Sequence, residues 1–236
     1  MGEIRMISIV VPAYNEEENI AAVIHDIEHF IDLPHELVIV NDHSRDRTPE
    51  LVKNLTLQYP SIRLVENTRP GGFANALRTG FENARGDFVV PVMADLCDEL
   101  LTVKNMFRKA EEGFDIICGC RYARGGMRLG GSRVKGFFSS FVGWSMHILL
   151  RIPTHDIANA FKMYSKKVLE SIPIESQGFE ISMEIAVKGY FSGFKVTEVP
   201  TVWKERTRGK SSFKMLKLFP AYLKWYLWGL SRILRR

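Results

Sequence analysis

The chain has 236 residues, 46% of them hydrophobic and 25% charged, with 18 glycines, 10 prolines and three cysteines. That composition excludes a disordered chain, a collagen-like repeat and a disulfide scaffold, and the length suits one large domain or two merged lobes. Cys97, Cys118 and Cys120 are too few for a disulfide framework and point to a reducing compartment; the last two lie in an apolar run and read as buried structural residues.

Residues 7–11 form a strand candidate, and Asn15 with Glu18 three positions on has the pattern of a capping box opening a helix to about Ile31. Residues 36–40 read as a second strand and 48–58 as a second helix. The rhythm continues through 62–65, 73–84, 88–92, 100–112 and 115–120. Strand and helix in alternation, with apolar runs of strand length, predict an α/β sandwich on a mostly parallel sheet. The second half is less regular. Gly125-Gly126 and Gly130-Gly131 bracket a loop, 132–150 reads as a helix, 158–164 as a strand and 179–191 as a helix. Residues 195–203 read as a strand near an edge, because Pro200 cannot donate to a ladder.

In open α/β sheets ligands bind beyond the carboxyl ends of the strands. Three of these ends are polar: Ala13-Tyr14-Asn15-Glu16, Asn41-Asp42-His43-Ser44 and Ala94-Asp95-Leu96-Cys97-Asp98. Asp95 and Asp98 suit a hard divalent cation that also takes phosphate oxygens, or else are solvated loop acids. Asp42 and Asp46 have a plain role as caps of the helix near Thr48. Gly71-Gly72 opens the following helix, so its amides could face an anion. His25 and His29 read as a solvated helix face, and His147 and His155 show no partner.

The net charge of +5 is uneven: residues 203–236 carry +9 and the remainder −4. A basic tail on an acidic body points to an anionic surface or ligand. No leader or membrane span is expected, since Glu16, Glu17 and Glu18 come early and the longest uncharged stretch, 136–150, is shorter than the roughly 20 residues needed to cross a bilayer. On a helical wheel from 215 to 236, Leu216, Phe219, Leu223, Tyr226, Leu227, Leu230 and Leu234 share one side. Lys217, Lys224, Arg232 and Arg235 lie on the other, with Trp225 and Trp228 beside them. That pattern predicts a helix lying in a membrane interface with tryptophans at headgroup depth, the alternative being a helix packed on its own domain. Pro220 predicts a kink or a fresh start. Residues 136–150 are a second interfacial candidate, or core. The tail's apolar side has no use on a nucleic-acid duplex.

The ordered set Val11-Pro12-Ala13-Tyr14-Asn15-Glu16, Asn41-Asp42-His43-Ser44-Arg45-Asp46-Arg47-Thr48, Gly72-Phe73-Ala74-Asn75-Ala76-Leu77-Arg78-Thr79-Gly80, Gly86-Asp87-Phe88 and Met93-Ala94-Asp95 resembles glycosyltransferase family 2. It is most similar to the polyprenyl-phosphate, dolichol-phosphate mannose synthase-like branch. The resemblance continues through Arg121-Tyr122, Asp156, Asn159-Ala160-Phe161-Lys162-Met163-Tyr164 and Arg206-Thr207-Arg208-Gly209-Lys210-Ser211, about residues 5–215 in all. It implies a GT-A-type, Rossmann-like sandwich over 1–210, with 1–114 binding the nucleotide-sugar and 115–210 the acceptor, followed by amphipathic helices over 211–236. It also implies inverting transfer of a sugar to a polyprenyl phosphate, dolichyl or undecaprenyl, at the cytoplasmic face of a membrane, with Mg²⁺ or Mn²⁺ on the donor diphosphate. Pro12, Ala13, Tyr14 and Glu16 then line the nucleotide pocket and Asp42 holds base or ribose. Asp95 is the metal aspartate, Arg206 approaches the diphosphate, and Arg121 and Arg133 meet the acceptor phosphate.

Departures from the family pattern are Met93 and Asn41 in place of acids, Cys97 in place of a glutamine, and Ser212 in place of a lysine, with Lys210 nearby. The cation is then held by Asp95 with Asp98, or by Asp95 and the diphosphate alone. A phosphate acceptor is already anionic and needs no strong base, whereas a hydroxyl acceptor does. Asp156 is the candidate for positioning or proton removal, or else a helix cap. The competing readings are the same donor with a hydroxyl acceptor on a glycan or lipid, and a catalytically silent nucleotide-sugar-binding scaffold.

Overall fold

The structure is a computed structural model that describes residues 5–206 and 215–234. In chain order the elements are β1 (Ile7–Ala13), α1 (Ile20–Phe30), β2 (His35–Asn41), α2 (Thr48–Thr56), β3 (Ile62–Glu66), α3 (Phe73–Asn83), β4 (Phe88–Pro91) and α4 (Thr102–Glu111). The second half adds β5 (Ile116–Cys120), β6 (Met127–Leu129), α5 (Arg133–Leu150), β7 (Lys162–Ser165), α6 (Lys166–Ser171), α7 (Ile181–Phe191), β8 (Val196–Pro200), β9 (Val202–Lys204) and α8 (Met215–Ile233).

One seven-stranded sheet, in the order β3-β2-β1-β4-β7-β5-β8, runs through both halves, and β6 and β9 make a separate parallel pair. β7 lies antiparallel to both β4 and β5, while the other pairs are parallel, which bears out the expected α/β sandwich on a mostly parallel sheet. The strands are largely apolar on both faces because helices cover both. Ile7, Ile9 and Val11 pack with α1 and α4, and Val10, Val38 and Val40 face α3, with α5, α7 and Trp225 of α8 in the same layer. Gly86 shows how closely the chain is drawn in: a Cβ there would stand 2.7 Å from the Met6 carbonyl oxygen.

Several boundaries differ from the expected ones. No capping box opens α1. Asn15 is left-handed (φ 52°), its Oδ1 accepts from the Arg45 N–H at 2.8 Å, and the helix begins only at Ile20. The strand expected over 158–164 shrinks to β7, because Asn159 Nδ2 donates to the Gly119 carbonyl of β5 and the buried Lys162 amine to the Ile157 carbonyl of the loop before β7. The strand expected over 195–203 divides at Thr201: β8 ends the large sheet, and β9 turns away to pair with the unexpected β6. Pro200 does sit on an edge strand. α8 runs through Pro220 without a break, since a proline removes one helical hydrogen bond and the following turns are held by packing on α5 and α7.

The strand order reverses between β1 and β4, after which the chain continues on the other side of β1. The crevice beyond the carboxyl ends of these two strands is where such a fold places a ligand.

Candidate active site

The loops leaving β1 and β2 are adjacent because Ala13 pairs with Asn41, and hydrogen bonds bind them into one wall. The Asn15 N–H donates to Ser44 Oγ (3.0 Å), the Glu16 N–H to Thr48 Oγ1 (2.9 Å) and the Glu17 N–H to Asp46 Oδ2 (3.1 Å). Asp46 also accepts from the N–H of Thr48, so its expected cap at α2 is present. Asn41 stands where the family pattern has an acid, and it serves the wall too: Nδ2 donates to Glu66 and Oδ1 accepts from the Ser44 N–H.

Asp42 is buried at the end of β2, where Oδ1 accepts from Asn67 Nδ2 (2.6 Å) and Oδ2 from the Gly72 N–H (2.8 Å). The glycine amide expected to face an anion therefore faces this carboxylate, and Gly72 reaches it with φ 138°. Pro12 and Ala13 form the floor of the wall, and Tyr14 stands exposed above them.

Across the crevice, beyond β4, Asp95 Oδ2 accepts from Arg206 Nη2 at 2.6 Å. Glu16 faces the same group: burial raises its pKa, the Asn19 hydrogen bond and Arg206 oppose the rise, and Asp95 adds to it. The structure thus brings Glu16, Asp95 and Arg206, from three distant segments, into one cluster. Asp98 lies behind Asp95 and accepts from the Met93 N–H at 3.2 Å; burial, then the charge on Asp95, pushes its pKa up to about 7. Cys97 is buried, and burial raises its thiol pKa, so it acts as packing. Among the described residues no group of three or more His, Cys, Asp or Glu could hold a metal ion. Two carboxylates fit a cation shared with a ligand's phosphates and do not fit a closed protein cage.

The half expected to meet the acceptor shows a pairing that spacing does not reveal. Asp156 is fully buried and accepts from the Arg121 backbone N–H (3.0 Å), Nε (2.7 Å) and Nη2 (2.8 Å); Nη2 also donates to Ser139 Oγ of α5. Burial alone would lower the pKa of Arg121, and Asp156 outweighs it and raises it. Asp156 is therefore neither a helix cap nor an exposed base. Arg133 sits exposed at the first position of α5, apart from this pair. Sequence reasoning missed Arg128, which lies over the Trp203 ring at 5.2 Å. The signal available was charge: residues 116–155 hold six Lys/Arg and no acid.

His147 and His155 do have partners: the rings lie 4.1 Å apart, and His155 meets Glu198. His25 and His29 are exposed as expected, and Cys118 and Cys120 are buried.

α5 is apolar on two faces. Met146 and Leu150 pack inward, while Phe137, Phe138, Phe141, Trp144 and Ile148 are exposed, Phe137 to 68%. α8 lies beside it, Gly229 touching the Leu150 side chain, and exposes Phe219, Leu223 and Leu227, with Leu234 exposed just past its end. The tryptophans of α8 depart from the expected headgroup position. Trp225 is 1% exposed, donates to Ser176 Oγ (2.8 Å) and lies between the Lys188 and Lys224 amines; Trp228 packs against Phe191. Lys210, Ser211, Ser212 and Arg235, and the side chains of Leu216 and Lys217, lie outside the described residues.

The family model for glycosyl transferase family 2 matches residues 8–172. The chain belongs to glycosyl transferase family 2. This family 2 chain is 32% identical over 222 residues to the dolichol-phosphate mannosyltransferase of Pyrococcus furiosus, a match that covers 90% of this chain and 60% of that protein. It is 28% identical to the polyprenol monophosphomannose synthase of Mycolicibacterium smegmatis, over 97% of this chain and 88% of that one. Among solved structures, glucosyl-3-phosphoglycerate synthase from Mycobacterium tuberculosis, in complex with Mn²⁺, uridine diphosphate and glucosyl-3-phosphoglycerate, superposes with a TM-score of 0.73 over 96% of this chain and 80% of that one, at 20% identity. The last likeness confirms the expected GT-A-type fold.

Proposed function

We propose that this family 2 chain moves a sugar, with inversion, from a nucleotide-sugar to the phosphate of a polyprenyl phosphate, dolichyl or undecaprenyl, at the cytoplasmic surface of a membrane. The observation that carries the reading is Asp156, the one acid offered for base duty on the acceptor side, which is buried and held by three bonds from Arg121. A hydroxyl acceptor needs its proton removed; a phosphate monoester arrives as an anion and does not. The names of the archaeal and mycobacterial relatives agree with such an acceptor.

In this reading residues 1–114 hold the donor and 115–210 the acceptor. Pro12, Ala13, Tyr14, Glu16 and Asp42 line the nucleotide site. A divalent cation, Mg²⁺ or Mn²⁺, would be held by Asp95 with Asp98 and would supply charge neutralisation at the diphosphate. Arg206 leaves Asp95 to meet the same diphosphate when the donor binds. An acceptor phosphate oxygen attacks the anomeric carbon, the carbon–oxygen bond to the diphosphate breaks, and the nucleoside diphosphate leaves with the electron pair.

The exposed apolar faces of α5 and α8 support the membrane reading. Among the described residues no helix is long and apolar enough to span a bilayer. α5, about 27 Å long at 1.5 Å per residue, suits a position in the interfacial plane, with basic residues and no acid in its neighbourhood of sequence. Its N-terminus then carries Arg133 to the height of lipid phosphates.

The test is transfer from a panel of labelled nucleotide-sugars to undecaprenyl or dolichyl phosphate in anionic vesicles, with and without Mg²⁺ or Mn²⁺. The expected product is a lipid-phosphate-linked sugar. Transfer to lipid alcohols or glycans with none to prenyl phosphates would refute the acceptor assignment. Donor binding without turnover on any acceptor would point instead to a silent scaffold.

A further inference from the structure

Arg121 and Arg128 differ in one respect that bears on the acceptor. Arg121 already has an anion: Asp156 takes its backbone N–H, Nε and Nη2. Arg128 makes no hydrogen bond or ion pair among the described residues, and its Nε is shielded from solvent with no acceptor. The residue as a whole is half-buried, and a shielded N–H left without an acceptor is unfavourable unless a ligand completes it.

The surroundings fix the Arg128 guanidinium in place. Arg128 pairs with Trp203 in the β6–β9 ladder and lies over its ring. A Cβ at Gly131 would stand 3.0 Å from Nη2, and a Cβ at Gly136 would run into Nη1, so two glycines keep open the space the group fills. Gly136 and Ser139 are three apart on α5 and share a face. Arg128 meets the first and Arg121 the second, which places the unpaired guanidinium one helical turn from the paired one. The Tyr122 hydroxyl, donating to the Gly136 carbonyl at 3.2 Å, ties the same turn to the end of β5.

We propose that Arg128, held by Trp203, Gly131 and Gly136, binds the phosphate monoester of the acceptor, and that Arg121 is kept from it by Asp156. Arg121 then sets the position of the α5 N-terminus through Ser139, and Arg128 supplies the two-pronged donor that a phosphate oxygen pair accepts. The inference rests on the phosphate-acceptor reading above and adds to it the residue that recognises the phosphate.

The test compares wild type, Arg128→Gln and Arg128→Lys with farnesyl phosphate in detergent as acceptor. Nucleotide-sugar protection against thermal unfolding and flotation on phosphatidylglycerol vesicles are measured in parallel. Loss of a charge-assisted pair predicts an acceptor kcat/KM about 10- to 100-fold lower in Arg128→Gln, chiefly through KM. Lysine should recover part of it, since the charge returns without the planar fork. Donor protection and flotation should stay at wild-type levels. An unchanged acceptor KM in Arg128→Gln, with wild-type transfer to farnesyl phosphate intact, overturns the proposal alone. Lost flotation with unchanged acceptor KM assigns Arg128 to lipid headgroups and also overturns it. A fall in thermal midpoint with donor protection lost in both variants makes Arg128 a structural support, to the same effect. If wild type transfers only to alcohols, the phosphate-acceptor reading fails first and the proposal with it.

Discussion

Asp156→Asn separates a positioning ion pair from a general base. Asp156 is completely buried, and Arg121 is nearly so, with 12% of its side chain exposed. The asparagine keeps the shape and one acceptor oxygen but removes the charge, leaving a shielded guanidinium uncompensated. Breaking a buried pair in this way costs about 3–5 kcal/mol. For a chain of this size each kcal/mol lowers the melting midpoint by roughly 2–4 °C, so the variant should melt about 6–20 °C below wild type. The double variant Arg121→Met/Asp156→Asn should recover part of that loss, because it removes the stranded charge as well. Melting would be followed by circular dichroism, and transfer to prenyl phosphate would be measured at a temperature where both proteins are folded. If the pair only positions α5, kcat per folded molecule should fall by less than about tenfold and the pH profile should keep its shape. General-base catalysis contributes roughly 10²- to 10⁴-fold. A variant with the wild-type midpoint, a kcat lower by that factor and no acidic limb in its pH profile would refute the reasoning.

Asp95→Ala should abolish the cation-dependent part of nucleotide-sugar protection, because the carboxylate facing Arg206 is the remaining motif acid; thermal unfolding with and without Mg²⁺ or Mn²⁺ checks it. Gly143→Ala should destabilise by roughly 1–3 kcal/mol, since its Cβ would enter the His155 backbone carbonyl and push α5 off the body, as read by urea denaturation. Hydrogen bonds from Lys188 and then Lys224 lower the pKa of Glu175 to about 2, so its contribution is full above about pH 4.5 and is lost as pH falls toward 2. Glu175→Gln should flatten that acid limb in the tryptophan fluorescence of α8. Replacing Phe137, Phe141 and Leu227 by serine should weaken vesicle flotation at every salt concentration, whereas neutralising Lys224 and Arg232 should weaken it chiefly at low salt.

The parallel sheet was legible because its evidence is local. A strand covered on both faces must be largely apolar, and residues 9–11, 37–40 and 88–92 are uninterrupted apolar runs. The candidate crevice was legible for a related reason: polar clusters at consecutive strand ends fall on one edge of a parallel sheet whatever the details of packing. The β6–β9 pair had no such signature. Its strands are three residues each, too short for an alternation to register, and they are defined by each other across about 75 residues of chain. The Arg121–Asp156 pair was hidden likewise, since two residues 35 apart advertise nothing until β5 and the loop before β7 are side by side.

The tail teaches a different limit. Helical periodicity sorts residues onto faces but does not say which face turns inward when both are apolar. On α8 the aliphatic side of Phe219, Leu223 and Leu227 is exposed, and the side carrying Tyr222, Trp225 and Trp228 is applied to the body. Tryptophan beside lysine suggests a headgroup zone from sequence alone. The same neighbours serve a packed interface, where Lys188 and Lys224 lie against the Trp225 ring and Glu175 and Glu184 balance their charge. What remains outward on α8 and α5 is aliphatic and phenylalanine-rich with a basic margin, and those side chains, with Trp144, are the ones that would enter a membrane interface. The decisive comparison is Trp225→Phe against Trp144→Ser. The first should lower the melting midpoint and leave vesicle binding of the folded protein intact; the second should leave the midpoint intact and weaken binding. The opposite pattern would return the tail tryptophans to the headgroup layer.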